Sequence, residues 1–60
     1  MSDNPEAKRY FDIAMNCCEC GDFESAINNF SKTIEIDPSY IKAYNNRGIA
    51  YSQLGQYEEA

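Results

Sequence analysis

Three cysteines fall within four consecutive positions, Cys17-Cys18-Glu19-Cys20, and no other grouping in the 60-residue sequence suggests chemistry. Thiolates bind soft metals, but a structural zinc site wants four ligands, usually in two separated pairs. This chain has no histidine and no second cysteine pair. Neighbouring residues on a helix point about 100° apart, so Cys17 and Cys18 cannot both face one ion without distortion. The cluster therefore reads as small helix residues, with Cys17 buried, Cys18 lining one surface and Cys20 near a helix end. A redox or soft-metal role is the competing reading. Without histidine there is no Ser/His or Cys/His pair, and no Gly-rich phosphate loop follows a strand. The carboxylates are scattered as on solvated helix faces. Asp22 and Glu24 suit helix starts, and Asp37 suits the turn before Pro38. No catalytic residue, metal or cofactor is expected, and the chain does not read as an enzyme.

The elements that carry these residues are marked by punctuation. Asn4-Pro5-Glu6 is a helix start, with an Asn cap, a proline whose missing N–H costs nothing there, and an acid near the positive end of the dipole. Apolar residues then recur at helical spacing at Tyr10, Ile13, Ala14 and Cys17. Gly21 supplies a left-handed stop, and Asp22 caps the next segment at once, so the two helices must run antiparallel. The second segment places Phe23, Ala26, Ile27, Phe30 and Ile34 on one face. It ends at Asp37-Pro38, because the residue before proline is pushed out of the helical region. Ser39 is the expected cap of a third helix carrying Tyr40, Ala43, Tyr44, Gly48, Tyr51 and Leu54. Gly55 is expected to end it, and Tyr57 to Ala60 to begin a fourth. The spacing predicts helices over about 6–20, 23–36 and 40–54, a start at 57–60, and no strand.

Composition narrows the function classes. Ten acidic and five basic residues give a net charge of −5. No basic stripe is available to displace counterions, so neither nucleic acid nor an anionic membrane surface is an expected partner. The N-terminus, MSDNPEAKRY, has no basic region followed by an apolar run, and no stretch reaches membrane-spanning length. Free thiols without a secretory signal predict a reducing, cytoplasmic setting. A chain this short buries only about 60 % of its unfolded surface, so stability should be marginal.

Comparing the sequence with itself gives the strongest signal. A shift of 34 residues overlays residues 7–26 on 41–60. Lys8 falls on Lys42, Tyr10 on Tyr44, Gly21 on Gly55, Glu24 on Glu58 and Ala26 on Ala60. Ala14 meets Gly48, and Phe23 meets Tyr57. The pattern of aromatic, small, aromatic, glycine, aromatic, alanine, aromatic and proline resembles the tetratricopeptide repeat (TPR) family, whose unit is a helix–turn–helix of that length. Tyr10, Ala14, Gly21, Phe23, Ala26, Phe30 and Pro38 match in the first unit. Tyr44, Gly48, Tyr51, Gly55, Tyr57 and Ala60 match in the second. Cys17 stands where an aromatic is usual and Thr33 where alanine is usual, and both should loosen packing without changing the fold. The resemblance implies an all-α, solenoid-type array of antiparallel hairpins. It divides the chain into a lead-in over 1–5, a first repeat over 6–38 and an incomplete second over 39–60. Ala14 and Gly48 are expected where a facing helix approaches closely, with the aromatics filling the space beside them.

The resemblance also implies a role. In TPR proteins the first helix of each unit lines a concave groove that takes extended peptides or helices. Here the corresponding residues are Phe11, Met15 and Cys18, flanked by Lys8, Asp12 and Glu19. In the second unit they are Asn45, Ile49 and Ser52, flanked by Lys42, Asn46 and Gln53. The competing reading has Phe11 and Met15 packing against a neighbouring element. A carboxylate clamp is disfavoured, since Phe11 and Met15 stand where that subtype needs Lys and Asn. The expected function is a scaffold module binding a protein or peptide partner. The second unit stops inside a helix start, which reads as a fragment of a longer array. The alternative is self-assembly, a short chain completing its repeat by pairing uncovered apolar faces with another copy.

Overall fold

Asn4 starts the chain's regular structure as its sequence predicts, its side-chain Oδ1 accepting from the backbone N–H groups of Glu6 at 2.9 Å and Ala7 at 3.3 Å. The computed structural model describes the backbone of residues 4–59 and the side chains of residues 4–56. Three helices follow one another: α1 (Pro5–Cys20), α2 (Phe23–Ile36) and α3 (Ile41–Glu59). There is no strand among the described residues. None of these helices is long and apolar enough to cross a membrane.

The connection from α1 to α2 is only two residues long. Gly21 adopts the left-handed conformation, φ 85° and ψ 6°. Its N–H donates to the Cys18 carbonyl at 3.1 Å, and the Asp22 N–H donates to the Cys17 carbonyl at 2.8 Å. That is the paired arrangement that satisfies the last carbonyls of a helix. Asp22 then caps α2, its Oδ1 accepting from the Ser25 N–H at 3.3 Å. One residue both closes α1 and opens α2, so the chain must reverse direction.

α2 packs against both α1 and α3, which scarcely meet each other. The contact surfaces are made of small residues around one ring. Phe30 is completely buried, in one cluster with buried Ala14, Ala26, Ile27, Ala43 and Ala50. Small side chains let the helix axes approach, and the aromatic fills the space they leave. Thr33 does not loosen this packing as expected. It is fully buried, and its hydroxyl lies 3.0 Å from the Asn29 carbonyl of its own helix and 3.3 Å from the Ala7 carbonyl of α1. The extra polar atom is therefore satisfied and ties α2 to α1.

Two expected boundaries are corrected. α3 does not stop at Gly55 but continues to Glu59, so no separate fourth helix begins at Tyr57. Glycine in a helix interior costs only about 1 kcal/mol, so Gly55 alone does not break an otherwise helical segment. Ser39 does not cap α3. Its N–H and hydroxyl both donate to the buried Asp37 carboxylate, at 3.2 and 2.7 Å. The Ala43 N–H instead reaches the Tyr40 carbonyl at 3.1 Å.

The α1 and α3 helices occupy the same place in the 34-residue register, yet they press opposite sides against α2. On α1 the buried or half-buried side includes Tyr10, Ala14 and Cys17, while Arg9, Asn16 and Cys20 are exposed. On α3 the equivalents of the exposed set, Ala43, Ala50 and Leu54, are the covered ones. Tyr44, Gly48 and Tyr51, expected to pack between helices, lie on the open side. Nothing stands within 4 Å of where a Gly48 Cβ would be. The reason is topological: α1 has α2 beside this face, and no described element occupies that place beside α3. The packing roles expected of Tyr57 and Ala60 fall outside the described side chains.

Replacing Phe30 by alanine should cost about 3–5 kcal/mol, as large as the whole stability of a chain this size. Far-ultraviolet circular dichroism should then show no cooperative melt. Gly21→Ala should be milder, costing about 1–2 kcal/mol for the forced left-handed backbone. A Gly21→Ala melt that matches the parent would mean that the turn can relax.

Candidate interaction surface

The candidate partner-contact residues sit at matching positions on the two first helices. Lys8, Phe11, Asp12 and Met15 share one face of α1 at the spacing i, i+3, i+4 and i+7, and Lys42, Asn45, Asn46 and Ile49 do the same on α3. Cys18 continues the α1 row by one more turn.

On α1 the apolar part of this row is largely occupied within the molecule. The Phe11 ring lies 5.7 Å from the Phe30 ring and 5.1 Å from the Tyr40 ring, in tilted geometry. Such aromatic contacts contribute beyond simple burial. Met15 and Cys18 are half-buried against the same core. Phe11 and Met15 are thus partly buried against the core. The polar flank lies outside that packing. Lys8 and Asp12 form an exposed ion pair at 3.1 Å, one helical turn apart. A pair this open fixes charge pattern more than stability.

On α3 the row is open. Lys42 and Asn45 are exposed, and Ile49 retains 57 % of its accessible surface. Asn46 is half-buried, and its Nδ2 donates to the Lys42 carbonyl at 2.8 Å. Ile49 is thus an exposed apolar side chain among amide and ammonium groups.

A second exposed apolar area is only partly visible from sequence. Ile41 is 65 % exposed, Tyr44 43 % and Tyr51 55 %. Leu54, grouped with them by periodicity, is half-buried against the core instead. Arg47, which the sequence does not single out, holds this side in place. Its Nη1 donates to the Ser31 hydroxyl of α2 at 3.0 Å, and its guanidinium lies 5.6 Å from the centre of the Tyr44 ring. Spacing offers no signal for it, because its first-unit counterpart is the apolar Ile13.

The cysteines remain free thiols, Cys17 and Cys18 half-buried and Cys20 exposed. Burial pushes the Cys17 thiol above its ordinary value, and the nearby Asp22 carboxylate and Cys20 push the same way. Cys18 is raised by burial first and by Cys17 second. Both favour the protonated, unreactive form at neutral pH. Among the described residues, no group of three or more His, Cys, Asp or Glu side chains is placed to hold a metal ion. Timed alkylation with iodoacetamide at neutral pH should therefore modify Cys20 first and Cys17 and Cys18 more slowly. Equal rates at all three would contradict this placement.

A family model described as TPR repeat matches residues 16–55. The uncharacterized protein MJ0572 of Methanocaldococcus jannaschii is 38% identical over 55 residues, covering 92% of this chain and 64% of that protein. TPR repeat-containing protein YpiA of Bacillus subtilis is 32% identical over 60 residues, all of this chain but 14% of that protein. Hsp70-Hsp90 organizing protein 2 of Arabidopsis thaliana is 40% identical over 40 residues, 67% of this chain and 7% of that protein. The chain thus spans less than two thirds of the length of each of these relatives. No solved structure matches it significantly.

Proposed function

The chain belongs to the tetratricopeptide-repeat family, and on that premise we propose that it is a protein–protein interaction module, taking a peptide or helix of a partner protein along α1 and α3. The family is in general a non-catalytic, interaction-bearing one. One observation carries the reading for this chain: Ile49 stands exposed on α3 among Lys42, Asn45 and Asn46. A central apolar contact ringed by hydrogen-bonding groups is how small recognition surfaces divide their work, the apolar group supplying affinity and the polar ones orientation. Lys8 and Asp12 extend the polar rim across α1. Phe11, Met15 and Cys18 act mainly as the floor, since their inner sides are held by the core.

Peptides selected from a random display library on the folded chain test this reading whatever the natural partner is. They should bind with their contacts centred on Ile49. An Ile49→Asp substitution on this exposed site should change stability by no more than about 0.5 kcal/mol. It should weaken binding at least tenfold, roughly 1.4 kcal/mol. Unchanged affinity in a normally folded variant would remove α3 from the binding surface.

Self-association is the second reading, and a different observation favours it. Ile41, Tyr44 and Tyr51 expose apolar surface beside the open space at Gly48. Contiguous apolar area of this kind marks association surfaces. Sedimentation over a concentration series decides the matter. Self-association predicts a mass that rises with concentration in the parent chain and stays monomeric in Tyr51→Lys. A parent chain that is monomeric throughout would eliminate it.

A further inference from the structure

The cysteine cluster has no part in the interaction surface, apart from the outer side of Cys18, yet it occupies the last turn of α1, next to the two-residue connection to α2. Residues three apart on a helix are separated by about 4.5 Å of rise and about 60° of rotation, which puts their Cα atoms about 5 Å apart. That lies inside the Cα separations that disulfides span. Cys17 and Cys20 have this relation, both being within α1. Cys18 does not, because it points about 100° from Cys17 and about 160° from Cys20.

We infer that Cys17 and Cys20 form a reversible redox pair, closing an intramolecular disulfide across the last turn of α1 in exchange with a low-molecular-weight disulfide. Three features of the end of α1 suit this. Cys20 is exposed and is the last helical residue, so it offers the sulfur that meets the oxidant. Cys17 is half-buried and therefore sheltered from it. The turn is already tightened, since the Gly21 N–H bonds three residues back to Cys18, and such tightening draws residues one turn apart toward each other. Cys20 is also among the groups that raise the Cys17 thiol, which agrees with their proximity.

The exchange balances in two steps. The Cys20 thiolate attacks one sulfur of the small disulfide, forming a mixed disulfide and releasing one thiolate. The Cys17 sulfur then attacks Cys20 Sγ, forming the internal bond and expelling the second small thiolate. The protons of the two cysteine thiols end on the two released thiolates, and two electrons pass from the protein to the oxidant. The new bond spans the carbonyls of Cys17 and Cys18 that accept from Asp22 and Gly21. Oxidation therefore locks the joint between the helices.

The experiment treats the reduced chain with oxidised glutathione and follows intact mass, residual alkylation and peptide mapping. The expected product lacks two hydrogen atoms, carries no glutathione and retains one alkylatable thiol, at Cys18. Cys18→Ala should give the same internal bond, and Cys17→Ser should stop at a glutathione adduct on Cys20. Amide exchange at Gly21 and Asp22 should slow in the oxidised parent. A stable glutathione adduct in the parent, disulfide-linked dimers, or an internal bond to Cys18 would each overturn the assignment. So would an oxidised parent in which those amides exchange as before.

Discussion

The burial of Phe30 in a socket of alanines is the interaction on which the architecture depends. Phe30 shares one buried cluster with Ala14, Ala26, Ile27, Ala43 and Ala50, and the small side chains in it let the helices come close. Each of those small residues contributes little apolar area by itself. Their value is in proximity, which turns one aromatic side chain into a contact shared by both sides of α2. The Phe11 and Tyr40 rings extend the same contact outward and join the start of α3 to α1. The face proposed for binding is thus built directly on the back of the core.

Helix starts and turns are the most legible parts of the sequence, because each depends on a few neighbouring residues. Asn4-Pro5 and Gly21-Asp22 carry their structural meaning in their own backbone and side-chain chemistry. Gly55 repeats Gly21 in sequence but not in conformation, since a stop signal takes effect only when the chain beyond it has something better to do than remain helical. Ser39 departs from its expected role for a related reason. A hydroxyl near a helix start is a good cap, but here the buried carboxylate of Asp37 offers it a partner.

The candidate site is legible as a register and not as a surface. Periodicity places Lys42, Asn45, Asn46 and Ile49 on one face of α3, and that face is largely open. It places Phe11, Met15 and Cys18 in the equivalent row on α1 but cannot reveal that Tyr40 and Phe30 lie across Phe11. Contacts between residues distant in sequence are not encoded in spacing. The same limit hides Arg47, whose bond to Ser31 and stacking on Tyr44 exist only once α2 and α3 are side by side.

The opposite burial of α1 and α3 gives the molecule a direction. At the positions where α3 presents Ala43, Ala50 and Leu54 to α2, α1 carries Arg9, Asn16 and Cys20 and turns them to water. That end is hydrophilic enough to remain wet, apart from Ile13. The far side of α3, with Ile41, Tyr44 and Tyr51, is not. The two outer faces are thus chemically unlike, Arg9, Asn16 and Cys20 on one and Ile41, Tyr44 and Tyr51 on the other, although the helices that carry them share one register.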